Sequence, residues 1–319
     1  SNDEFSTHLL PGMYQKLKQI FYPDTHPDLW QFYPKVTANA QSDSAASEVD
    51  ALPMALGVCK VPPMTMSAER THVIKLMKVS TGGTCGCTCA SDFDELTKAI
   101  LEDAITVYKG KLFTHGAFLD CSEEYDLAIE SFVFVCKTWK IQMEIEDDLM
   151  KLVCNAIITQ RSSQAWDECK SKAHPLVAPA FGINPEQPLC EVQNKVEDLL
   201  DRMNFLYKDP VAHTGLFQNQ VISILINMIW FKNKNDESTN NLYFLQDGIP
   251  LPTIALVFMV IECCLDEWQT GQHVNIQFTA ASYKEKYNGH LKTLQNFDQR
   301  TEEVGIIPKL CQNLTKKAR

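Results

Sequence analysis

Residues Ile249 to Leu265 read IPLPTIALVFMVIECCL and form the most apolar run in the chain. A membrane span needs about 20 apolar residues. This run holds Pro250, Pro252 and Glu262 and meets Asp266-Glu267 directly. It therefore predicts a buried central helix covered on every side. The two prolines suit its first turn, where their missing N–H groups have no partner to lose. Trp268 reads as a packing anchor and Gly271 as the C-terminal stop.

Helical spacing extends outward in both directions. Upstream, Ser91 with Asp94 makes an acidic capping box ahead of Phe93, Leu96, Ile100 and Val107, up to Gly110. Ser122 precedes Tyr125, Ile129, Phe132, Val133 and Cys136, and a third run carries Leu149, Leu152, Val153, Ala156 and Ile157. Ser163 starts a fourth run with Trp166, Cys169 and Ala173, expected to bend or break at Pro175 and stop at Gly182. Asn184-Pro185 opens the next, from Val192 to Met203, and Thr214 precedes Phe217, Val221, Leu225 and Ile229. Downstream, Thr279 caps Tyr283, Tyr287, Leu291 and Leu294 before a last amphipathic helix. No strand-period alternation competes after residue 91, so the expected fold is all-α: a compact multi-helix domain around a central helix near 250–270.

Residues 1–90 differ. Pro23, Pro27 and Pro34 lead into TANAQSDSAASEVDA (Thr37 to Ala51), a small polar stretch that reads as a disordered linker at about 37–51. A short helix is expected from Ala68 to about Val79, capped by Ser67. The organisation is thus a partly irregular N-terminal segment, 1–90, and a helical domain, 91–319.

The net charge of -11 argues against a generic basic nucleic-acid binder. Twelve cysteines in 319 residues are too sparse for a disulfide scaffold. Cys136, Cys154, Cys169 and Cys263 fall in apolar-periodic runs, as small buried hydrophobes do. With no basic and apolar leader in SNDEFSTHLL, the expected setting is reducing and intracellular, nuclear or cytoplasmic. The phosphate-loop, His-Glu-x-x-His and Gly-x-Ser-x-Gly patterns are missing. The eight histidines are scattered without a pair at metal-ligand spacing, and His174 and His213 read as helix-end residues. One compact cluster stands out: Cys85, Cys87 and Cys89, three soft thiolates to which Cys59 or His72 would add a fourth zinc ligand. The spacing departs from that of structural zinc sites, and a reactive thiol loop or single buried cysteines are the alternatives.

Acidity concentrates in the helical body, where nine acids between Asp120 and Met150 face only Lys137 and Lys140. Such a run is either a solvated helical surface or a docking patch for a basic partner, with Glu123, Glu124, Asp147 and Asp148 as its candidate contacts.

The stretch Ile249 to Val257, followed by Ile261-Glu262 and Asp266-Glu267-Trp268-Gln269-Thr270-Gly271, resembles a domain of unknown function expanded in mushroom-forming fungi. Phe278-Thr279, Tyr283, Tyr287, His290 and Leu291 continue the likeness, as do Arg161 to Gly182 and Ile229-Trp230-Phe231. It covers roughly residues 91–319 and implies a helical, intracellular protein with a weak link to mobile elements or chromatin. It supplies no catalytic residues.

The expected function is a non-enzymatic interaction or regulatory module whose acidic face binds a basic protein. The first alternative is a nucleic-acid-associated protein of a mobile-element or chromatin complex, using Lys232, Lys234, Lys284, Lys286 and Lys292. The second is an enzyme whose site is assembled from distant helices. No membrane association and no cofactor other than zinc at the cysteine cluster are expected, and the oligomeric state is open.

Overall fold

The computed structural model describes residues 72–75, 90–144, 147–232 and 248–318. In chain order the elements are strand β1 (His72–Lys75), helices α1 (Glu95–His115) and α2 (Cys121–Thr138), strand β2 (Ile141–Glu144), α3 (Asp147–Val153), α4 (Arg161–Ala180), α5 (Leu189–Leu200), α6 (Gln220–Ile226), α7 (Leu251–Asp266), α8 (Ala280–Arg300) and α9 (Ile306–Ala318). Single π turns, Cys154–Ile158 and Asn227–Phe231, continue α3 and α6.

Helix α7 is the core. Every residue from Thr253 to Leu265 except Glu262 is buried, and α1, α4, α5, α6 and α8 pack around it. A helix apolar on all faces can be satisfied only in this way. Pro250 is its N-cap and Pro252 lies in the first turn. The Thr253 hydroxyl donates to the Phe113 carbonyl at 2.8 Å, which fixes α7 against the end of α1. The α1–α2 turn is pinned from two sides: the Trp166 indole donates to the Ala117 carbonyl at 2.8 Å, and the Ala117 N–H donates to the Tyr287 hydroxyl at 3.1 Å. The Phe118 ring lies stacked on Trp166 and edge-on to Phe278. Cys136, Cys154, Cys169 and Cys263 are all buried, as their apolar spacing predicts.

Local chemistry sets the helix ends, some of them shifted from the expected places. Asp94, rather than Ser91, caps α1, accepting from Leu96 and Thr97, and the helix runs past Gly110 to His115. Asp120, rather than Ser122, caps α2, and Glu123 returns the bond to the Asp120 N–H to close a capping box. Asn184 accepts from the Glu186 N–H in a turn, and α5 begins only after Pro188. Thr279 caps α8 as expected. Pro175 and Pro179 do not break α4, which runs unbroken to Ala180. Ala165, Trp166, Cys169, Ala173 and Val177 bury one face of it, and that packing outweighs the bonds the prolines remove.

The class is all-α, with one small exception. β1 pairs in parallel with β2, His72 opposite Ile141 and Lys75 opposite Glu144. Residues 72–75 were expected inside a helix. Val73 and Ile74 are β-branched, and a waiting backbone edge at Ile141–Glu144 lets them pair instead. The linker at 37–51 lies outside the described residues.

Candidate metal centre

The last turn of α7 ends in an electrostatic conflict. Glu262, Asp266 and Glu267 place three carboxylates near the C-terminal end of a helix, where the macrodipole is already negative. Neighbouring helices supply the partners. From α8, the Lys286 ammonium reaches Asp266 at 2.7 Å and Glu262 at 2.9 Å, and the buried His290 lies 2.6 Å from Glu262. From α4, Lys170 reaches Glu267 Oε1 at 2.7 Å. Burial by itself would raise the Glu262 and Glu267 carboxyls. Their hydrogen-bonded partners, His290 and Lys286 for the first and Lys170 with the Ile276 N–H for the second, hold both below the ordinary value.

Glu267 has a second oxygen, and what surrounds it differs. His174 on α4 and His273 in the loop after α7 both aim Nε2 at Oε2, at 3.3 Å and 3.2 Å. The two Nε2 atoms are 2.9 Å apart, and the rings meet edge to face. These three atoms form the one group of histidine, cysteine or carboxylate ligands, among the described residues, close enough to share a metal ion.

The loop is built to hold this arrangement. Gly271 takes a left-handed φ of 80° and donates to the Trp268 carbonyl at 2.9 Å. The Val274 N–H then donates to the Glu267 carbonyl at 2.8 Å, which folds His273 back over its own helix end. The Trp268 ring backs the His273 imidazole at 5.3 Å between centroids.

Protons satisfy such a triangle only in part while both rings are neutral. If both Nε2 atoms carry hydrogen, two N–H groups face each other at 2.9 Å. If one lacks it, its lone pair can accept from the other ring at 2.9 Å but still faces the carboxylate oxygen. A cation at the centre removes the conflict, because all three lone pairs then point at it. The three edges, 2.9, 3.3 and 3.2 Å, are short enough for His174, Glu267 and His273 to hold one divalent ion between them. The Glu267 side chain is fully buried, whereas His174 and His273 are 47% and 35% exposed. One pole of the site therefore opens to solvent.

The residues singled out in the sequence lie elsewhere. Cys85, Cys87 and Cys89 are outside the described residues, as is the Asp147 side chain. Glu123 is engaged in the α2 capping box. Glu124 is half-buried beside Ser162, and burial raises its carboxyl even though Ser162 and Lys284 act the other way. Asp148 is fully open, with Lys151 at 4.0 Å. Of the lysines proposed for a nucleic-acid face, Lys286 is committed to Glu262 and Asp266. His174 is an interior residue of α4, not a helix end. It meets a histidine 99 positions away, a partnership that no spacing rule reaches.

No helix among the described residues is long and apolar enough to cross a membrane. A family model described as Domain of unknown function (DUF6532) matches residues 103–297, which include all three candidate ligands. That match spans more than half of the chain, and the chain belongs to this family. No curated protein and no solved structure matches.

Proposed function

We propose that this member of the DUF6532 family is a helical metal-binding domain, in which His174, Glu267 and His273 hold a divalent transition-metal ion with one pole open. The Nε2–Nε2–Oε2 triangle carries the reading. Two imidazoles and a carboxylate suit borderline ions, zinc first. Three protein ligands with an exposed face leave room for a water or a substrate oxygen, which a closed structural site does not. The ion would polarise such an oxygen as a Lewis acid. It would also tie α4 to the loop after α7, since its ligands come from both.

The test is zinc titration by calorimetry of chelator-treated protein, alongside H174A/H273A and C85S/C87S/C89S variants. One ion per chain, lost in the histidine variant and kept in the cysteine variant, is the expected result. Zinc saturation at 100 times Kd should then stabilise the fold by about 2.7 kcal/mol. Loss of binding only in the cysteine variant would move the ion to that cluster. The absence of binding by the native protein would leave the histidines held to Glu267 by protons.

A second reading, docking of a basic protein on the acidic face, draws on the exposed Asp126 and Asp148. Complementary charge there would speed encounter and select the partner.

A further inference from the structure

We infer that Lys170 is the positioning residue of this centre: it makes Glu267 a one-oxygen ligand and sets the affinity for the ion. The inference rests on the metal-binding reading above. Lys170 and His174 lie one turn apart on α4, so both project from the same side toward α7 and its loop. The Lys170 side chain is 11% exposed, and its ammonium takes Glu267 Oε1 at 2.7 Å. It also donates to Asn275 Oδ1 at 3.3 Å and to the Ile276 carbonyl. The Ile276 N–H donates to the same Oε1 at 3.3 Å.

Two consequences follow from those bonds. With Oε1 engaged twice, only Oε2 remains to face the imidazoles, and the carboxylate cannot rotate to offer both oxygens. The same ammonium holds residues 275 and 276, so the loop bearing His273 is fastened to the helix bearing His174. One side chain thus fixes the orientation of one ligand and the separation of the other two. Its positive charge opposes an incoming dication, and the inference is that orientation outweighs this repulsion. Partners of this kind around metal ligands typically change affinity by about 10–100-fold when removed.

The experiment measures zinc Kd and the visible absorption of the cobalt(II)-substituted protein for the native chain, K170M, K170R and N275A, with a melt of each metal-free protein. K170M is expected to bind zinc about 10–100-fold more weakly, with a cobalt spectrum altered by two-oxygen ligation. K170R, which keeps the charge and donors, should recover most of the affinity. N275A, which loses one loop anchor, should fall between them. That milder variant also keeps the test open should K170M fail to fold. Unchanged Kd and cobalt spectra in K170M and N275A, or tighter binding in K170M, would overturn the role of Lys170 while leaving the metal site standing. Failure of the native protein to bind either ion would instead remove the reading on which the inference rests.

Discussion

Gly271 is the hinge of the candidate centre, and its replacement by alanine has a cost that follows from the structure. Its φ of 80° lies in the left-handed region, which costs an L residue about 1–2 kcal/mol. A Cβ there would stand 2.5 Å from the Leu189 carbonyl oxygen and 3.0 Å from its carbon. Ordinary contact begins near 3.4 Å, so the start of α5 or the loop has to retreat by roughly 0.9 Å. Backbone shifts of this kind cost about 1–3 kcal/mol. The sum is about 2–5 kcal/mol, or a melting point lower by about 4–20 °C for a domain of this size. Gly289 serves as an internal control. It is exposed in the middle of α8, with nothing within 4 Å of its would-be Cβ. G289A should therefore stabilise by about 0.5–1 kcal/mol through helix propensity alone. Urea unfolding of both variants measures the two values. A G271A protein within about 0.5 kcal/mol of the native one, the ordinary range for surface substitutions, would refute the loop geometry on which the site depends.

Two further expectations address the surface and the ion network. Replacing Asp126 and Asp148 by lysine should leave the melt nearly unchanged, because both are exposed, and should abolish recovery of basic proteins from a cell extract. Equal recovery with the native chain would dispose of the acidic-face reading. Glu123 and Glu124 are unsuitable for this test, since one closes a cap and the other is half-buried. Burial would raise the Glu262 carboxyl, but His290 and Lys286 hold it below its ordinary value in the folded state. Its contribution is therefore complete above that value and lost as pH falls through the lower folded value. The native melting point should drop more steeply than that of E262Q between about pH 5 and pH 3. Parallel profiles would show that the contacts with His290 and Lys286 add nothing.

Much of the fold was legible because it depends on local rules. A run with no polar face between Thr253 and Ile261 has to be buried on all sides, and Thr279 can satisfy orphan N–H groups wherever a helix follows. Several helix starts were misjudged by a few residues: Asp94 rather than Ser91 caps α1, Asp120 rather than Ser122 caps α2 through the box with Glu123, and α5 starts after Pro188 rather than at Asn184. The unbroken α4 was hidden because proline is costly in isolation, and the packing that offsets it comes from α7. Residues 72–75 pair with a strand some 70 positions away, so no local pattern marks them.

The candidate centre was beyond the sequence for the same reason. His174, Glu267 and His273 belong to two distant segments, and only the crossing of α4 over the end of α7 brings three ligand atoms within 3.3 Å. Each residue alone is unremarkable. The amino-acid sequence by itself determined the helical class, the buried central helix and the Thr279 cap, because hydrophobic period and first-turn hydrogen bonds act within a few residues. Tertiary structure alone decided which charges meet. Electrostatic partnership depends on separation in space, and chain spacing carries no record of it once helices cross.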